Sequence, residues 1–98
     1  MPGFGKTKKF TLTTVATAIT ASTWCRQITI QEDLGVAGWP TTDYLIARPT
    51  STDDFLRVAG GVAYVFTFGG FDLIPNGAVV GYAKTVSGST TFQQTEDP

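Results

Sequence analysis

Ninety-eight residues with a formal net charge of −1 make one small domain, and only 15% of them are charged, against about 25% in an average soluble protein. The absence of histidine excludes Ser-His-Asp and Cys-His nucleophile systems; with one cysteine, Cys25, it also excludes the usual zinc sites and any internal disulfide. The charge is divided, because residues 1–31 hold Lys6, Lys8, Lys9 and Arg26 with no acid (+4), whereas 32–98 hold eight acids against Arg48, Arg57 and Lys84 (−5), which excludes a broad basic footprint for nucleic acid.

The chain opens with two glycines, a proline and three lysines in residues 1–9. This composition predicts a flexible basic arm, able to reach toward an acidic partner. Gly5-Lys6-Thr7 repeats the end of a phosphate-binding loop, G-x-x-x-x-G-K-[ST]. Only four residues precede Gly5, so the first glycine and the preceding strand have no room, and no helical pattern follows. From Phe10 onward the sequence predicts one β domain, 10–98. Over 10–20, Phe10 and Leu12 alternate with threonines, which predicts a strand. The five threonines between Phe10 and Ala21 are too many for the apolar core of a signal peptide, and no apolar run is long enough to span a membrane.

The next strand is expected at 24–32, with Trp24, Ile28 and Ile30 on a buried face and Cys25 as a buried thiol. Glycines and Pro40 make 33–42 a loop, and 43–48 reads as a short strand stopped by Pro49. A polar turn at 50–54 and a brief edge strand at 55–58 follow. The clearest alternation is at 62–68, where Val62, Tyr64, Phe66 and Phe68 line one face. Pro75, Asn76 and Gly77 form a turn signal, with Pro75 expected at the first central position. Residues 79–86 and 89–95 are expected to pair as a hairpin about Ser87-Gly88. Gly81, inside a strand, implies a bulge or a close backbone neighbour. Short strands with regular turn signals predict an all-β fold, a compact β-sandwich or small jelly-roll-like barrel.

The remaining chemistry is sparse. Glu32, Asp33, Asp43, Asp53, Asp54 and Asp72 fall in loops or strand ends, match no calcium-loop spacing and read as solvated acids. No cofactor, metal or catalytic set is expected, and the chain does not read as an enzyme. A surface so poor in Lys and Glu gives up its water readily, as subunit interfaces do. Trp39, in a glycine-rich loop, and Phe71, Leu73 and Ile74, in the 69–77 loop, are the candidate subunit or partner contacts.

The segments CRQITIQE, PTTDYLIARP and GAVVGYAKTVSGSTTF, behind a basic entry, resemble the small decoration or cement proteins of tailed-phage heads. That resemblance implies a β-rich protein, often trimeric, on the outer capsid at junctions between capsomers. It further implies that the arm, with Lys6, Lys8, Lys9 and Phe10, lies across the major capsid protein, with no nucleic-acid or membrane partner. Two other readings stay open. One is a viral tail or connector component. The other is a glycan- or receptor-binding module that uses Trp39 as a stacking platform.

Overall fold

The computed structural model describes residues 6–33, 42–48, 54–67 and 73–97. Eight strands run through them: β1 (Lys6–Leu12), β2 (Thr17–Thr20), β3 (Gln27–Glu32), β4 (Tyr44–Ala47), β5 (Leu56–Val58), β6 (Tyr64–Phe66), β7 (Val79–Thr85) and β8 (Thr90–Asp97). They form two four-stranded antiparallel sheets, ordered β1-β8-β3-β6 and β2-β7-β4-β5. The fold is thus the expected all-β sandwich. Within it the pairs β1–β8, β2–β7, β3–β6 and β4–β5 are nested, so the chain behaves as one long antiparallel ribbon bent back and forth between two sheets. This is the jelly-roll order.

Strand alternation sorts the side chains. In the first sheet, Thr7, Thr95, Thr29 and Val65 are register partners in one row, and they lie on the outer face. Leu12, Ile28, Ile30, Phe66 and Phe92 point inward and meet Ile19, Tyr44, Ile46, Val80 and Ala83 of the second sheet in one buried cluster. Each of the valine, leucine, isoleucine and phenylalanine side chains contributes roughly 1.5–3 kcal/mol by leaving water. Phe92 joins the layers' aromatic residues, edge-on to Tyr44 at 4.9 Å and tilted against Phe10 at 6.0 Å. At Gly81 the backbone approaches too closely for any side chain. A Cβ there would stand 2.5 Å from the Phe66 ring and 2.7 Å from the Ala47 carbonyl oxygen. The β2–β7 register also slips beside it, with Ile19 opposite Gly81 and Thr20 opposite Val79. The bulge and the close neighbour expected at this glycine are both present.

Several expectations are corrected. The strand begins at Lys6 and not after residue 9, because residues 6–9 pair in register with Glu96 to Gln93 of β8. Residues 1–5 of the expected arm lie outside the described residues. The single strand at 10–20 is two strands in different sheets, broken at 13–16, where the alternation loosens. The strand expected at 62–68 shortens to 64–66 and lies at a sheet edge. In the turn after Ile74, Ala78 N–H donates to the Pro75 carbonyl at 3.1 Å and Gly77 has φ +90°. Asn76 and Gly77 are therefore the central pair, and Pro75 stands one place earlier than expected.

The largest correction concerns Ser87-Gly88. β7 and β8 belong to different sheets, so the turn crosses the sandwich and makes no hairpin. The end of β7 is bonded within its own half: Thr85 N–H donates to the Thr13 carbonyl at 2.8 Å and Val86 N–H to the Asp43 carbonyl at 3.1 Å. Gly88, at φ +66°, turns the chain, and its carbonyl accepts from the Thr85 hydroxyl at 2.6 Å. A tight-turn signal specifies reversal, not which sheet receives the next strand.

Candidate interaction surface

The β2–β3 crossover carries the largest exposed aromatic among the described residues, Trp24, at 61% exposure. Alternation placed it in the core beside Ile28. The strand phase breaks instead at Arg26, so that Cys25 and Ile28, three residues apart, are both buried. Cys25 forms a two-way backbone bridge with Ile74, with N–H to carbonyl distances of 3.1 and 2.7 Å. Antiparallel bridging then sets Trp24 and Leu73, which is 48% exposed, on the outer side of the same short ribbon. Two apolar side chains face solvent at this end of the sandwich.

A buried carboxylate holds that crossover in place. Glu96, on β8, is fully buried. It accepts from Ser22 N–H at 2.7 Å, from the Ser22 hydroxyl, from Thr23 N–H at 3.0 Å and from the Gln94 amide at 3.3 Å. Gln94 also donates to the Thr20 carbonyl at 2.9 Å. Burial pushes the Glu96 pKa up, but the donors from Ser22, Thr23 and Gln94 outweigh it and hold the carboxyl below its ordinary value. The same burial, with the Glu96 and Asp97 charges nearby, raises the Cys25 thiol. Cys25 is the buried free thiol the sequence implied.

The opposite end has its own polar set. The Tyr44 hydroxyl donates to the Val62 carbonyl. Burial, followed by the Glu32 and Tyr64 charges, pushes its pKa up to about 12. Glu32 is buried; one oxygen accepts from the Thr90 hydroxyl at 3.2 Å and Thr42 N–H at 3.4 Å, while the other has no hydrogen-bond partner. Among the described residues no three His, Cys, Asp or Glu side chains gather to hold a metal.

The expected contact residues scatter. Lys6, Lys8, Lys9 and Phe10 all lie on β1, an edge strand. Lys8 is exposed, Lys9 pairs with Asp33 at 3.1 Å, and Phe10 is half-buried against Phe92. They are fixed on the sheet, where lysines on an edge discourage pairing with another chain. Of the loop candidates, Leu73 is exposed, but Ile74 is fully buried and is withdrawn as a partner contact: alternation about the Cys25 bridge turns it inward. Trp39 and Phe71 lie outside the described residues.

A further region was read in the sequence only as strands, not as a surface. β5 and β6 are the edge strands on the side opposite β1 and β2, one in each sheet. Leu56 is 60% and Val65 46% exposed on them. The twelve residues 55–66, FLRVAGGVAYVF, carry one charge, Arg57, whose guanidinium is tied to Asp43 at 2.9 Å. Asp43 also accepts from Gly60 N–H; that bond, followed by the one from Arg57, lowers its pKa. The signal was one charge in twelve residues. Comparison with protein families, curated proteins and solved structures gave no match.

Proposed function

We propose that the chain is a structural virion protein, a decoration or cement protein that assembles as a homo-oligomer, a trimer, and binds the major capsid protein at capsomer junctions of a tailed-phage head. The observation that carries this reading is apolar surface left open on a domain whose own core is already closed. Trp24 and Leu73 project at one end, Leu56 is open on edge strand β5 and Val65 on the outer face of β6, on a molecule with few ionised groups to keep them wet. Monomeric proteins keep such patches small, and larger ones mark contacts. The jelly roll suits a shell component, although the fold alone assigns no function. Cementing is mechanical: each copy buries surface against several subunits at once, and modest contacts add through multivalency.

Co-sedimentation with empty heads of the encoding virus tests the reading. The full chain should bind saturably, and Trp24→Ala should lower occupancy at least about tenfold, as loss of a buried tryptophan anchor does. Absence of binding at micromolar concentration would refute it. Removing residues 1–5, and not 1–9, is the proper test of an arm, because residues 6–9 belong to β1.

Exposure of Trp24 beside Ser22 and Thr23 also favours a second reading, a glycan-binding module in which the indole stacks on a sugar. A saccharide-dependent change in tryptophan fluorescence, lost in Trp24→Ala, would select it.

A further inference from the structure

We infer that Asn76 is a site of covalent modification, conversion to isoaspartate, and that the fold restrains this reaction by gripping the Asn76–Gly77 peptide. The inference goes beyond the structural role above and needs neither capsid nor partner.

The sequence supplies the reactants. Asn76 is the chain's one asparagine, and Gly77 follows it. Asparagine is chemically labile, most of all before glycine, which has no Cβ to hinder its own nitrogen. The Gly77 backbone nitrogen loses its proton to base and attacks the Asn76 side-chain amide carbon. A C–N bond forms, ammonia leaves, and a succinimide ring results. Water then adds to either ring carbonyl and reopens the ring. One product is aspartate. The other is isoaspartate, in which the backbone runs through the former side chain. Asn76 and Gly77 are both exposed, so base and water reach them.

The folded turn withholds the attack in two ways. The nucleophile is occupied, because Gly77 N–H donates to the Ala21 carbonyl at 2.7 Å. The backbone also aims it wrongly. Ala78 N–H donates to the Pro75 carbonyl at 3.1 Å, Gly77 has φ +90°, and among the described residues only glycines have positive φ. This is a type II turn, with Asn76 ψ at about +120°. At that angle the Gly77 nitrogen is rotated away from the Asn76 Cβ about the Cα–C bond, whereas ring closure needs the two nearly eclipsed. The reaction therefore runs only from molecules in which the turn has opened.

The β2–β3 crossover keeps the turn shut. Ala21 bonds to it in both directions, its N–H reaching the Ala78 carbonyl at 2.9 Å and its carbonyl accepting from Gly77. Cys25 bridges Ile74, and Glu96 holds Ser22 and Thr23 between these two clasps. The same contacts set the consequence. Isoaspartate lengthens the backbone by one carbon where Ala21 is clasped and replaces a neutral amide with a carboxylate. The clasp no longer fits, and the ribbon that carries Trp24 and Leu73 loosens.

The test incubates the full chain at mildly alkaline pH, folded and in guanidinium, and follows the tryptic peptide 58–84, which holds Asn76 and no glutamine. Denatured chains should gain isoaspartate, scored with an isoaspartyl methyltransferase, at least about tenfold faster than folded ones, because a closed segment reacts only through its open fraction. Glu96→Gln should raise the folded rate and leave the denatured rate as it is. Converted protein, separable by its added negative charge, should lose amide protection at Ala21 and Cys25 while Lys6–Leu12 keep theirs. Equal rates in folded and denatured wild type would overturn the restraint, whether or not the Glu96 variant folds. A denatured chain that gains no isoaspartate would overturn the site itself. A folded Glu96→Gln protein that reacts at the wild-type rate, or a converted protein with unchanged protection, would overturn the coupling to the crossover.

Discussion

The β1–β2 side and the β5–β6 side close the same core with different surfaces. Both expose edge strands, and both must avoid indiscriminate pairing. The first does so with charge: Lys6, Lys8 and Lys9 fall within β1, and Lys9 is pinned by Asp33. The second uses brevity, with strands of three residues, and leaves Leu56 and Val65 uncovered. A sheet edge protected by lysine repels every strand, including that of its own copies. An edge that is only short still permits a specific apolar contact. The two sides therefore keep foreign strands away by different means, one by charge and the other by short strands.

The comparison breaks first if the core between the sides is removed. Phe92 touches Phe10 of β1 and Tyr44 of β4, so it supports both halves. Phe92→Ala should cost about 3–5 kcal/mol, read as a lower urea midpoint, and both edges should lose amide protection together. A loss confined to β1 would show that the two sides are not supported by one core.

A smaller effect is expected at Glu96. Glutamine keeps the shape and can leave its amide oxygen on the Ser22 and Thr23 N–H groups, but its NH₂ then faces the Gln94 amide donor, and unsatisfied buried groups cost about 1–3 kcal/mol each. The pH dependence follows from the sign of the shift. The Glu96 pKa lies below its ordinary value of 4.5, so its stabilisation is present above pH 4.5 and disappears as pH falls through the depressed value. Urea midpoints of the wild type should drop on acidification, and Glu96→Gln should flatten that drop, the remainder belonging to groups such as Asp43. An acid limb of equal depth in the variant would contradict the carboxylate's role. Because Glu96 holds the crossover, the variant should also shift Trp24 fluorescence at neutral pH.

The smallest effect is at Lys9. Its pairing with Asp33 is at the surface, where such pairs are worth about 0–1 kcal/mol. Lys9→Ala should change stability by less than about 0.5 kcal/mol, and the change should fade with added salt.

Sequence reading reached the strands wherever alternation was intact. Ile28 and Ile30 in β3 and Phe66 in β6 are inward as expected, and Gly81 has both its bulge and its close neighbour. It failed where a local signal has two tertiary solutions. Ser87-Gly88 encodes a reversal, and only the pairing of β8 between β1 and β3 decides that the chain crosses the sandwich. Trp24 continued the period of Ile28, but the break at Arg26 moved it outward. Lysines at 6, 8 and 9 resembled an arm because they do not alternate with apolar residues, yet a strand at a sheet edge has little need of such alternation. Glu96 gave no warning, since an acid near a chain end ordinarily lies in water. Its burial depends on donors from Ser22 and Thr23, more than seventy residues away. On the β5–β6 side the edge strand expected at 55–58 is present as β5, but only the sheet order shows that β6 is an edge as well.

Solution mass of the full chain, by light scattering or sedimentation, most directly tests the central claim that apolar surface left open on so lightly charged a domain serves assembly. At tens of micromolar the protein should be a multiple of 10.4 kDa. A monomer at about 100 µM, where contacts of micromolar affinity are saturated, would contradict it.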